Sequence, residues 1–197
     1  MRVSPEEVKE YTKRKLFYLA NASEGKNRAL LAEIRKGIGK SPGEDPKLWG
    51  ILFEGMPDDM MSQNEESTYA EWAVYISITL YALHQQGKEI KTENMNVEKV
   101  GIGQAVAKLI TNEDERERIE RRFGALATAD GMPAVSYYLR GIVQMLRGNG
   151  IGLDYALLAY DLLIFQMPGK ASSIRLKWGQ DFYRVLNKWN KEDNENE

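Results

Sequence analysis

The sequence contains no cysteine and only one histidine, His84. The first absence excludes disulfides, thiolate zinc sites and a cysteine nucleophile, and it agrees with a reducing compartment. The second excludes a multi-histidine metal site within one chain. Long hydrophobic runs are also missing. The longest apolar stretch, around Trp72–Leu83, is interrupted by Ser77 and Thr79 and is too short to span a bilayer. The N-terminus MRVSPEEVKE lacks the apolar core of a signal peptide. A soluble, cytoplasmic protein without a membrane partner is therefore expected. No alternating run is long enough for a sheet, and no internal repeat occurs.

What is present is helical. The 197 residues are 43% hydrophobic and 28% charged, enough apolar material for a real core. Ser4-Pro5-Glu6-Glu7 combines an N-cap, a first-turn proline and a capping-box glutamate, opening a helix to about Ala20. A second helix is expected from about Ser23 to Lys36, stopped by Gly37. After the loop GIGKSPGEDP, Asp45-Pro46 caps a short helix that Gly55 and Pro57 end. Tyr69, Trp72, Ala73, Ile76, Leu80 and Leu83 recur at steps of three and four, predicting a helix over Ser67–Gln86 that stops at Gly87. A shorter helix is expected around Gly103–Ile110.

Four more helices follow. Thr111-Asn112-Glu113-Asp114 opens the first, with Ile119, Phe123 and Leu126 inward. Pro133 opens the second, with Val135, Leu139, Ile142 and Leu146 inward and Gly148 as its stop. Asp154 caps the third, which is almost wholly apolar to Phe165 and hence central. Ser172 or Ser173 caps the fourth, whose apolar face is Ile174, Trp178, Phe182, Val185 and Trp189. The expectation is an all-α fold: an N-terminal helical domain over residues 1–111, a C-terminal four-helix bundle over 112–190, and a disordered acidic tail at 191–197.

No catalytic apparatus is recognisable, and no cofactor is expected. Gly39-Lys40-Ser41 resembles the end of a phosphate-binding loop, but Ile34 stands where that loop needs its first glycine. Gly101-Ile102-Gly103 and the GNGIG run at Gly148–Gly152 mimic dinucleotide motifs; both lie between helices, so their glycines read as helix stops. His84 ends its helix beside Gln85 and Gln86, where it is either stabilised by the helix C-terminus or packed. Asp161 sits inside an apolar helix and needs an arginine or a cap as partner.

The charge pattern is more informative. The formal net charge is -2, yet residues 1–40 carry ten Lys/Arg against five Asp/Glu. Residues 41–71 carry one against eight, and residues 112–190 carry eleven against nine. Fields act over roughly 10 Å at moderate salt, so separate basic and acidic surfaces matter more than their sum. Lys26, Arg28, Arg35, Lys36 and Lys40 make one basic group. Arg118, Arg121 and Arg122 lie on one flank of their helix. Arg140 and Arg147 are about 20° apart around theirs, opposite Ile142. Lys177, Arg184 and Lys188 make a further stripe. Each stripe could be a solvated face paired with acids such as Glu117 and Glu120. Arginine-rich stripes on consecutive helices instead suit bidentate contact with phosphates.

Eight local sequences occur in a telling order: LLAEIRKGIGKSP (30–42), KLWGILF (47–53), LYALHQQ (80–86), GIGQAVAKL (101–109), RIERRFGALATAD (118–130), YYLRGIVQML (137–146), GLDYALLAYDLLIF (152–165) and IRLKWGQDFY (174–183). Together, over roughly residues 25–186, they resemble the CasB family, the small subunit of type I-E CRISPR surveillance complexes (Cascade). The resemblance implies an all-α, non-catalytic subunit used in antiviral defence. It implies two copies arranged head to tail against the repeated backbone subunits, near the large subunit. They would stabilise the CRISPR RNA–target DNA hybrid and the displaced DNA strand. Arg35 and Lys36 in EIRKG, Arg121 and Arg122 in ERRF, and Arg140 in YLRG match basic positions of the family. Gln104 stands where many relatives carry arginine, and Lys108, one turn on, is a possible substitute. With the neighbouring cations, the expected nucleic-acid contacts are Arg28, Arg35, Lys36, Lys40, Lys108, Arg118, Arg121, Arg122, Arg140 and Arg147. The acidic segment 41–71 is expected to face a basic neighbour or the second copy. Two other classes remain open: an all-α adaptor that assembles without touching nucleic acid, and a helical hydrolase with clustered carboxylates and a metal.

Overall fold

The computed structural model describes residues 3–195. Its first helix, α1 (Pro5–Asn21), starts where the sequence places a capping box. The Ser4 hydroxyl accepts from the Glu7 amide at 3.2 Å, and the Glu7 carboxylate accepts from the Ser4 amide at 2.7 Å. Next come α2 (Glu24–Arg35), a 3₁₀ turn (Pro46–Leu48) capped by Asp45, and α3 (Trp49–Phe53). A second capping box, Thr68 with Glu71, opens α4 (Tyr69–His84). The remaining helices are α5 (Ile102–Ala107), α6 (Glu113–Thr128), α7 (Gly131–Gly148), α8 (Tyr155–Gln166) and α9 (Ala171–Glu195). Among the described residues there is no sheet; an isolated bridge joins Asn96 and Leu153.

Two helices are buried over most of their circumference, α8 keeping a half-buried stripe at Leu157, Tyr160 and Ile164. From Ala70 to His84, every residue of α4 except Trp72 is buried. Of the stripe expected from its periodicity, Ala73, Ile76, Leu80 and Leu83 are buried, whereas Trp72 is half-buried and Tyr69 exposed. In α8, Tyr155, Leu158, Ala159, Leu162 and Leu163 are all buried, as its composition implies. The other helices cover this pair: α8 packs on α1, α4 and α9, while α4 also meets α2 and α7. Outside them, α6 leans on α7 and α5 lies along α9. The expected boundary at residue 111 falls between α5 and α6, and the core is continuous across it because α8 packs on α1 and α4.

Most polar groups inside this core have partners; Ser77 Oγ and His84 Nε2 have none among the described residues. Asp161 is 2% exposed and accepts from Lys177 Nζ at 2.5 Å and from the Trp178 indole at 2.8 Å. The expected partner is thus a lysine and an indole rather than an arginine. Burial raises the Asp161 pKa, and the lysine charge works against that rise. Asp154 caps α8 through the Leu157 amide at 2.8 Å and holds the Lys99 amide at 2.8 Å with its other oxygen. That second bond fixes Lys99 at φ 67, in the left-handed region. Asn96 accepts from the Tyr155 amide at 3.0 Å, so the loop before α5 is tied to the start of α8. His84 is packed rather than exposed: it is fully buried, with Nδ1 2.8 Å from the Tyr155 hydroxyl.

Several local expectations change. Ser172 and Ser173 lie inside the first turn of α9, which begins at Ala171, so neither is its cap. Pro133 is in the third position of α7, where a missing amide donor is still harmless. Gly101 precedes α5, but Gly103 is no helix stop. A Cβ there would lie 2.1 Å from the Trp178 carbonyl oxygen and 3.0 Å from the Phe182 nitrogen, so only glycine lets α5 and α9 approach this closely. Residues 191–195 of the expected disordered tail continue α9, since no glycine or proline interrupts the helix after Trp189. Residues 196 and 197 lie outside the described residues.

Gly103→Ala is expected to destabilise the protein by about 3 kcal/mol, because the obstacle is backbone. Gly179→Ala, with nothing within 4 Å of the added carbon, should instead stabilise α9 by about 0.5–1 kcal/mol. Urea midpoints of the two variants test the pair, and equal effects would refute the close-packing account. Burial, reinforced by the Lys88 charge, lowers the His84 pKa to about 4. A histidine depressed in the folded state contributes full stability above its unfolded pKa, roughly 6.5, and loses it as pH falls toward the folded value. Between pH 7 and pH 5 this amounts to about 2 kcal/mol. His84→Gln should remove that slope in paired urea titrations at the two pH values, whereas an unchanged slope would assign it to other groups.

Candidate nucleic-acid interface

The most basic unneutralised feature lies between α6 and α7. Helix α6 turns Ile119, Phe123 and Leu126 inward, and Phe123 stacks on Phe182 of α9 with ring centroids 5.1 Å apart. This leaves Arg121 and Arg122 exposed on the outer flank. Helix α7 buries Val135, Leu139, Ile142 and Leu146, all as expected, and presents Tyr137, Arg140 and Gln144 outward. Positions 137, 140, 141 and 144 follow the three- and four-residue steps of one helix face. The two exposed faces enclose a groove of about 470 Å³ lined by Arg121, Arg122, Ala125, Tyr137, Arg140, Gly141 and Gln144, among others. Its floor is low: Ala125 has a single methyl group, and a Cβ at Gly141 would meet nothing within 4 Å.

No carboxylate lines this groove, and Arg121, Arg122 and Arg140 form no ion pair among the described residues. The acids that could have neutralised α6 are engaged elsewhere or absent from the pairs. Glu120 holds Arg116 at 3.1 Å, and Glu117 pairs with no cation among the described residues. Three guanidinium groups thus share one concave surface, an arrangement suited to an anionic chain with spaced charges.

The other expected contacts are distributed differently. Arg118 pairs with Glu115 at 3.2 Å, Lys36 with Glu33 at 2.7 Å and Lys40 with Asp45 at 3.1 Å. Arg28 pairs with Glu24 at 2.7 Å and Glu89 at 3.2 Å. Arg35 is half-buried and donates to the Ala82 carbonyl at 3.2 Å, while Arg147 donates to Gln86 at 2.8 Å. Burial, aided by the Arg147 charge, lowers the Arg35 pKa. Both arginines therefore sit at the carbonyl end of α4, where the helix dipole favours cations. The near-alignment of Arg140 and Arg147 around α7 does not bring them together: two helical turns of rise, about 10 Å, send one to the groove and the other to α4. Lys108 is exposed at the end of α5. Gln104 accepts from the Gly101 amide at 3.2 Å and so caps its own helix. In the α9 stripe, Lys177 is held by Asp161 and Arg184 by Asp181 at 2.8 Å, leaving Lys188 exposed.

Sequence reasoning missed two features. One is the aromatic side of the groove, Tyr137 and Tyr138; the spacing of Tyr137 to Arg140 and Gln144 was the available signal. The other is a second basic depression of about 830 Å³ between α1, α2 and α3, where Arg14, Lys15, Lys26 and Lys47 meet Glu33 and Glu54. On the acidic segment, Asp58, Asp59, Glu65 and Glu66 are exposed and form no ion pair among the described residues. Glu44, Asp45 and Glu71 instead accept hydrogen bonds from nearby backbone amides. Among the described residues no cluster of three or more histidine, aspartate or glutamate side chains could hold a metal ion. No helix among them is long and apolar enough to cross a membrane.

Comparison with known proteins agrees with this architecture. The family model described as CRISPR-associated protein Cse2 matches residues 30–183. The crystal structure of CasB from Thermobifida fusca superposes with a TM-score of 0.73 at 30% identity, covering 89% of this chain and 97% of that one. CasB from M. ruber gives a TM-score of 0.68 at 26% identity, covering 91% and 96%. CasB from Thermus thermophilus, at 22% identity and a TM-score of 0.67, shares the fold over 92% of this chain and 99% of its own. No curated protein sequence matches the chain.

Proposed function

The chain belongs to the CRISPR-associated Cse2 family, a family of CRISPR Cascade subunits, and on that premise we propose that it is the non-catalytic small subunit of a type I-E complex and holds nucleic-acid backbone on its helical surface. Its ligands are the guide RNA–target DNA hybrid and the displaced DNA strand, and its neighbours are the backbone and large subunits and a second copy of itself. The observation that carries this reading is the acid-free groove with Arg121, Arg122 and Arg140 on two packed helices. In RNA-guided recognition, base pairing reads the sequence, so a protein of this kind needs phosphate contacts and no base readout. A displaced strand left in water would re-pair with its complement. Each phosphate held by a guanidinium disfavours that return, and the contact weakens steeply as salt rises.

The pairing of Arg28, Lys36, Lys40 and Arg118 with neighbouring carboxylates favours a second reading for those positions. There the cations act within the chain, as in an adaptor that assembles without touching nucleic acid. Exposed pairs of this kind contribute only about 0–1 kcal/mol, so a phosphate could still displace the carboxylate. The exposed acids Asp59, Glu65 and Glu66 serve assembly by facing a basic neighbour.

Arg121→Glu with Arg122→Glu should shorten R-loop lifetime about tenfold or more while leaving assembly intact. The slope of log affinity against log salt should become shallower by about one for each phosphate the variant no longer holds. An unchanged lifetime would remove these residues from the interface. A salt response that is flat even for the native chain would favour the adaptor. Asp59→Asn with Glu65→Gln and Glu66→Gln should lower the occupancy of this subunit in the purified complex. Normal occupancy would refute the assembly role of that surface.

A further inference from the structure

The groove holds an aromatic ring that backbone contact does not require. Tyr137 is 72% exposed, although its neighbours Leu139 and Ile142 are fully packed. It stands one helical turn from Arg140 and lines the same cavity as Arg121 and Arg122. Tyr138 meets it edge to face, with centroids 5.3 Å apart and planes at 78°, which restrains the ring before any ligand arrives. The floor beside it is bare at Gly141. A flat group could therefore lie over Tyr137 and against the α7 backbone without displacing a side chain.

We infer that this groove takes one unpaired nucleotide of a single strand, its base stacked on Tyr137 and its flanking phosphates held by Arg121, Arg122 and Arg140. The inference rests on the backbone-contact reading of the same groove and sharpens its ligand to the unpaired strand. Three observations favour that ligand. The volume of about 470 Å³ falls within the range of single small-ligand sites, roughly 300–1,000 Å³, which suits one splayed nucleotide. Bases inside a duplex have both faces covered by their neighbours, so only an unstacked base can offer a face to tyrosine. Gln144, one turn beyond Arg140, supplies both a donor and an acceptor, which suits any base edge and selects none. The groove would then distinguish single from double strand without reading sequence.

The test uses the full chain at low salt with an oligonucleotide carrying 2-aminopurine, as a single strand and annealed to its complement. Stacking quenches the fluorophore. Native protein should quench the single strand and bind it more tightly than the duplex. Tyr137→Leu should abolish the quenching and weaken single-strand binding about tenfold, with duplex affinity and the salt slope unchanged. Tyr137→Phe should keep both properties. Gly141→Leu, which fills the floor at a position with open space and a better helix former, should act like Tyr137→Leu with the fold intact. Quenching and single-strand preference that survive Tyr137→Leu would overturn the inference and leave the backbone reading standing. Loss of all binding only in Arg121→Glu with Arg122→Glu would have the same meaning. A Tyr137→Leu variant that binds single strand normally but fails to join the complex would assign the ring to a neighbouring subunit instead.

Discussion

Helices α4 and α8 have no polar face, and the rest of the chain is arranged to keep them out of water. A helix buried over most of its circumference must be enclosed by several others, because each neighbour covers only part of it. That requirement explains why α8 touches α1, α4 and α9 while α4 also meets α2 and α7. It also explains the internal polar bonds. The Tyr155 hydroxyl satisfies Nδ1 of His84, though not its Nε2, and Trp178 and Lys177 satisfy the Asp161 carboxylate, which burial would otherwise leave without partners. The second set ties α9 to α8, and the Phe123–Phe182 stack then ties α6 to α9. The outer helix pair that carries the basic groove is thus held in place from the centre.

Amphipathic helices wrapped around such a core direct their polar faces outward, but a cation is available to a ligand only if the protein has not already neutralised it. Here the deciding factor is which acids stand one helical turn away. Glu115 precedes Arg118 by three positions and engages it, and Glu33 does the same for Lys36. Glu120 lies only one and two positions from Arg121 and Arg122, too near along the helix to face them, and turns to Arg116; Glu117, four positions before Arg121, forms no ion pair among the described residues. On α7 no acid follows Asp130 before the helix ends, so Arg140 has none within its own helix. The unneutralised groove arises from these local pairings rather than from net charge, which is slightly negative for the whole chain.

Much of this was legible in the sequence where one face of a helix is apolar. Val135, Leu139, Ile142 and Leu146 marked the inner side of α7, and all are buried. The capping box at Ser4 follows from side-chain chemistry that acts within four residues. The reading fell short where the deciding partner is distant in sequence. Gly103 looks like a helix stop until α9, some 75 residues later, lies against it. Periodicity in α4 marks a stripe, yet burial is set by the helices that surround it. Arg140 and Arg147 share an angular position, but angle says nothing of height along the axis or of Gln86 waiting beside one of them. The order of eight short segments carried the family despite these local errors, because it averages over the whole fold.

On the proposed function, the same separation between core and surface explains how an otherwise ordinary helical protein would hold a strand without reading it. Sequence-specific contact needs side chains aimed at base edges with fixed donor and acceptor patterns. The groove offers instead guanidinium groups, an aromatic ring and an amide that can donate or accept. Each of these is tolerant of the base presented. Rigid support is what makes such tolerant contacts effective. Arginines fixed on helices that are packed from behind lose less freedom on binding than arginines on a loop. The low floor at Ala125 and Gly141 lets a chain come near the α6 and α7 backbones, so charges can be met at close range. Enlarging either residue would leave the core untouched and the net charge unchanged, yet it would change what can approach. The discrimination in this groove therefore lies in shape, while its attraction lies in charge, and the two are set by different residues.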